Sequence, residues 1–136
     1  MFLQSGDKRM SFVSDQILSG LHLVVVAQAI AWALLAFILV VTIAPISLRP
    51  RTITRVNLDR SLAFAAMAFF FVLGYSHSAA LVGVTCVIGA GISELLQLLS
   101  PSRHARLPDA MAKSTGAAAG ALVAMVALAT SGAMAI

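Results

Sequence analysis

Glu94 and Gln97 stand near the end of a long apolar run, and the stretch that follows carries Pro101, Arg103, Arg106, Asp109 and Lys113 before Gly116 and Gly120. A carboxylate at such a position costs roughly 2.5–3.5 kcal/mol at the centre of a membrane helix unless it is partnered or hydrated, so Glu94 calls for a physical reason. On a helix Glu94 and Gln97 share a face. Pro101 breaks that helix, which lets Arg103 fold back toward Glu94. Asp109 follows Pro108 and precedes an alanine-rich run, a good place for a cap or first-turn acid, and its charge also suits Arg103 or Arg106. Lys113 comes one helical turn later on the same face as Asp109. Asp59 and Arg60 open an earlier apolar run and are expected on the same side of the membrane. Such a set of groups can receive an anionic phosphate or carboxylate head group on its arginines, while Glu94 and Asp109 orient those arginines or move a proton. Glu94, Arg103 and Asp109 can equally form an ion-pair network that locks the loop and binds nothing.

Other chemistry finds little support. Ser100, Ser102 and His104 lie close to the cluster, but their spacing matches no hydrolase motif, and a single loop histidine is ordinarily solvated. His22 and His77 read as interface residues at span ends. The three histidines fall on separate segments, which leaves no metal site, and no cofactor motif is visible. Cys86 is the single cysteine and lies inside an apolar run, where it reads as a small buried residue.

The elements that must position these groups are set by composition. The chain has 136 residues, 60% of them apolar and only 10% charged, and a mean hydropathy of +0.99. That leaves too little polar surface to cover a soluble domain and implies an integral membrane protein. The net charge of +4 falls in short loops between apolar runs, where it sets topology and meets anionic lipid, so nucleic acid is not an expected partner.

Four spans can be drawn, at residues 22–44, 58–75, 79–99 and 114–134, each bounded by polar or turn-forming residues. The first exceeds the roughly 7–15 residue core of a signal peptide and is expected to be retained. The second is short, with Asp59 suited to the positive end of its helix dipole and Arg60 able to snorkel. Only Ser76, His77 and Ser78 separate it from the third, which makes a tight antiparallel hairpin. Residues 1–21 read as a polar tail, with a weak signal for an interfacial helix, and residues 22–136 as one compact all-α bundle of four transmembrane helices with short loops. Arg49, Arg51, Arg55 and Arg60 in one loop region, and Arg103, Arg106 and Lys113 in another, place both loops in the cytoplasm and both termini outside. Lys8 and Arg9 oppose that assignment. Gly116 and Gly120, with Ala124 beyond them, form a small-residue face against which a neighbouring helix should pack: the third span through Gly83, Gly89 and Gly91, or a second copy of the chain.

The run Glu94, Gln97, Pro101, Arg103, Asp109, Gly116 and Gly120 resembles the signature of the VanZ-like bacterial membrane proteins, in which Glu-x-x-Gln precedes Pro, Arg, Asp and two glycines at this spacing. Upstream, Asp59-Arg60 with Phe64 and Ala66 resembles the opening of that family's second span. The pattern departs at Ala63, where the family usually has His, at Met67, where it usually has Tyr, and at Lys113, where it usually has Asn. The resemblance covers about residues 57–128. It implies a cell-envelope protein of the bacterial inner membrane, in a family whose named member is associated with reduced susceptibility to teicoplanin, with Glu94, Gln97, Arg103 and Asp109 as functional positions.

The absent histidine and the added lysine favour anion binding over acid-base chemistry. The expectation is therefore a protein that binds an anionic envelope precursor or lipid head group through Arg103, supported by Glu94, Gln97 and Asp109, with Arg60, Arg106 and Lys113 as auxiliaries. Two alternatives stay open: a membrane enzyme acting on a lipid-linked phosphate or saccharide with Glu94 as general base, and a small structural subunit of an envelope-synthesis complex. Membrane lipid is an expected partner under all three, and a homo-oligomer or an envelope-synthesis partner is compatible with each.

Overall fold

A computed structural model describes residues 3–43, 56–96 and 107–132. It shows an all-α bundle of four helices: α1 (Leu3–Ile43), α2 (Val56–Gly74), α3 (Ala79–Leu96) and α4 (Leu107–Thr130), with a 3-10 turn at Ser76–Ser78 between α2 and α3. Three stretches are long and apolar enough to cross a membrane, Phe12–Thr42, Ser76–Glu94 and Leu107–Thr130. Helix α2 has 19 residues, about 28 Å at 1.5 Å per residue, with Asp59 and Arg60 in its opening turns.

Helix α2 is the centre of the bundle, packing on α1, α3 and α4, and α4 also lies against α3. Without a strong hydrophobic drive between helices in lipid, this packing depends on close van der Waals fit. The small residues provide it. A Cβ on Gly116 would overlap the carbonyl oxygen of Ser61, and one on Gly120 would overlap that of Ala65. The small-residue face of α4 therefore lies on α2, within the chain, and not on the third span. Helix α3 meets α4 elsewhere, with Gly83 against Met125 and Ala121 and Gly91 beside Ser114. The third span already has a separate contact along α4, which leaves the glycine stripe to the helix that must approach most closely.

At the hairpin end, α1 is tied to α2 by Gln28 Nε2 donating to the Gly74 carbonyl at 2.8 Å. Trp32 Nε1 donates to Tyr75 Oη at 3.2 Å, and its ring meets Phe71 edge-on.

Two boundaries differ from expectation. No break separates a tail from a first span, because α1 is one helix of 41 residues, about 61 Å long and roughly twice the ~30 Å hydrocarbon thickness. His22 consequently lies within this helix and not at its end. From Phe12 onward the first buried residue of α1 is Ala27, and between Phe12 and Val26 every residue except Val24 is exposed. Helix α4 starts at Leu107, well before residue 114, and so takes in Pro108, Asp109 and Lys113. Proline is accommodated in a first turn, where its missing N–H has no helical partner, and the two charges are admitted because partners neutralise them. The last described residue of α3 is Leu96. Gly132 follows α4 with φ of 70°, the left-handed conformation that closes helices and that glycine adopts without a steric penalty.

Candidate functional site

One face of α4 carries, in order, Asp109, Lys113, Gly116, Ala117, Gly120, Ala121, Ala124 and Leu128, all buried. Helical spacing makes the polar pair a continuation of the small-residue stripe, so the contact that seats Gly116 and Gly120 on α2 also carries Asp109 and Lys113 into the bundle. Arg60 on α2 and Glu94 on α3 converge on them from the two neighbouring helices.

Lys113 Nζ lies 2.5 Å from Glu94 Oε2, and the two side chains are only 4% and 6% exposed. The same Nζ is 3.6 Å from Asp109 Oδ2 and 5.9 Å from the centroid of the Phe64 ring. An ammonium at that distance over an aromatic face gains roughly 0.5–2 kcal/mol. Asp109 Oδ2 accepts a charge-assisted hydrogen bond from Arg60 Nη1. Arg60 differs from the other three in that a third of its side chain is exposed. The four groups carry two positive and two negative formal charges, so the cluster is neutral and can be tolerated at low dielectric.

Thus the structure contains one closed pair and one open pair. Lys113 and Glu94 are surrounded by protein and pair with each other, with Asp109 as a second anion beside Lys113. Arg60 holds Asp109 while a third of its side chain stays exposed, and five N–H donors leave it capacity for a further acceptor. Asp109 Oδ1 is buried with no hydrogen-bond partner among the described residues.

Of the residues expected at the site, Arg60, Glu94, Asp109 and Lys113 are brought together. Gly116 and Gly120 form the adjacent packing face. Asp59 is partly exposed in the first turn of α2, with no ion pair among the described residues. Gln97, Pro101, Arg103 and Arg106 lie outside the described residues, as does His104. Among the described residues Glu94 meets Lys113 and Asp109 meets Arg60; the expected pairings with Arg103 or Arg106 lie outside the described residues. Lys113 reaches Glu94 because α4 begins early enough to carry it across from α3.

Sequence reasoning missed Phe64 as a wall beside Lys113 and Ser61 as the backbone against Gly116. Both are set by the α2–α4 approach, for which Arg60, Phe64 and Ser61 on adjoining turns were the available signal. Among the described residues, no three His, Cys, Asp or Glu side chains come together in a way that could hold a metal ion. No family model, curated protein or solved structure matches this chain.

Proposed function

We propose that the chain binds an anionic lipid head group or lipid-linked envelope precursor at the membrane face where α2 and α4 begin and α3 ends. The observation that carries this reading is the asymmetry of the two ion pairs. Lys113 and Glu94 are closed off, whereas Arg60 is anchored by Asp109 and still partly open. A guanidinium held by a carboxylate is preorganised for bidentate contact with a phosphate or a second carboxylate. Arg103 and Arg106 lie in sequence between the end of α3 and the start of α4, and complete the proposed cationic set with Gln97 as a neutral partner.

In this reading all four helices cross the bacterial inner membrane, and the residues joining α1 to α2 and α3 to α4 face the cytoplasm, as their arginines suggest. The further proposal of a VanZ-like envelope protein, with a role in glycopeptide susceptibility, is supported by the spacing of Glu94, Gln97, Pro101, Arg103, Asp109, Gly116 and Gly120. Binding is favoured over general-base chemistry because Glu94 is nearly fully buried and held by Lys113.

Native mass spectrometry of the protein released from mixed micelles of phosphatidylglycerol and phosphatidylcholine tests the proposal. The wild type should retain phosphatidylglycerol about tenfold better, equivalent to ~1.4 kcal/mol. Arg60→Gln and Arg103→Gln should each reduce that preference with the melting temperature nearly unchanged. Equal retention of both lipids by the wild type would refute head-group selection, and unfolding of both variants would favour a purely structural ion-pair lock.

A further inference from the structure

Between α1 and α3, floored by α2, runs an apolar groove with a volume of ≈ 560 Å³, lined among others by Trp32, Leu39, Phe64, Cys86, Gly89 and Ser93. Along α3 its lining extends from Leu81 to Ser93, about 18 Å at 1.5 Å per residue. A long, mostly apolar groove that ends beside a cation has the shape and polarity of an extended hydrocarbon chain joined to an anionic head group. One end reaches the charged cluster: Phe64 lines the groove and faces Lys113, and Ser93, also in the lining, directly precedes Glu94. Arg60 stands one turn before Phe64 on α2, on the same face.

We infer that the groove holds one hydrocarbon chain of an anionic membrane lipid whose head group meets Arg60. The inference rests on the head-group reading and adds that the tail is recognised too. Two walls, α1 and α3, cover the chain along its length, and the cation sits where its polar end would emerge. A wide, shallow surface would take up lipid without fixing its position. This groove would fix both depth and direction, with the phosphate at the end where α2 begins.

Gly89 provides a clean test. It lines the groove, and a Cβ added there meets nothing within 4 Å, so Gly89→Leu starts a side chain into open space and removes a glycine from a helix interior. The probes are a phosphatidylglycerol with a photoactivatable diazirine midway along one acyl chain and a phosphatidylcholine with the same chain, crosslinked to the full-length purified protein and mapped by peptide mass spectrometry. Adducts should concentrate on residues 32–42 and 81–93 and fall about tenfold, ~1.4 kcal/mol in occupancy, in Gly89→Leu. The melting temperature should not fall. Gly20→Leu, which also meets nothing within 4 Å and lies outside the groove, should label as the wild type does. Undiminished adducts in Gly89→Leu, or adducts spread equally over Leu122, Val123 and Val126 on the outer face of α4, would overturn the inference. So would a dimer whose groove segments stay unlabelled. If both lipids label the groove equally and Gly89→Leu suppresses both, the groove stands and head-group selection fails. If phosphatidylglycerol is preferred and Gly89→Leu changes nothing, head-group selection stands and the groove fails.

Discussion

Lys113 on α4 and Glu94 on α3 meet at 2.5 Å with both side chains almost wholly buried. Nineteen residues of sequence separate them, so the contact fixes the register of two helices as well as neutralising two charges. Removing one partner of such a pair leaves the other charged in a low-dielectric interior, whereas removing both leaves an apolar contact of similar volume.

Lys113→Met alone should therefore destabilise the bundle by about 3–5 kcal/mol, and Glu94→Leu alone by a similar amount. The double variant should regain most of that loss, because the remaining charges, Arg60 and Asp109, pair with each other. Unfolding of the four forms in detergent measures the coupling. Losses that simply add would show that the pair is not a unit.

Gly120 tests the α2–α4 approach independently of charge. Its missing Cβ leaves room for the Ala65 carbonyl, so Gly120→Val must push the helices apart and should cost at least about 1–3 kcal/mol, as overpacking does. Gly20→Val, where a Cβ meets nothing, should change stability by less than about 1 kcal/mol. Equal melting temperatures for the two variants would contradict the packing described. The shift in α4 should also weaken the Arg60–Asp109 pair and reduce any preference for anionic lipid.

The arginine distribution predicts the orientation. In the proposed topology of four crossings, which return the chain to the side from which α1 starts, a reporter fused after Ile136 should show phosphatase activity and no cytoplasmic fluorescence. Fluorescence with no phosphatase activity would reverse the assignment.

Much of the bundle was legible because membrane helices write themselves in apolar runs of fixed length. Ser76-His77-Ser78 marked the hairpin, and Gly116 with Gly120 marked a close contact inside or outside the chain. The partner of that contact was not legible, because a small-residue stripe specifies how near a helix comes and not which helix it is. The start of α4 was partly legible, since Asp109 read as a cap or first-turn acid and stands in the first turn. The apolar span was nevertheless drawn from residue 114, because the burial of Asp109 and Lys113 depends on Arg60 and Glu94 standing opposite them. The convergence of Arg60, Glu94, Asp109 and Lys113 at one end of the bundle could be anticipated from their places at the ends of apolar runs. Their pairing could not, since charge alone permits any cation to meet either carboxylate. The groove between α1 and α3 left no signal in the sequence, for it is made by two helices that both lean on α2.

A lipid bound as proposed has its phosphate against the Arg60 guanidinium. Solid-state NMR on the protein in phosphatidylglycerol bilayers, with arginine guanidinium nitrogens labelled, can read that contact as dephasing by phosphorus. Comparison with Arg60→Gln isolates the contribution of this residue from the other arginines. A strongly dephased guanidinium signal in the wild type should disappear in Arg60→Gln, while folding is retained. Identical dephasing in the two proteins would contradict that contact.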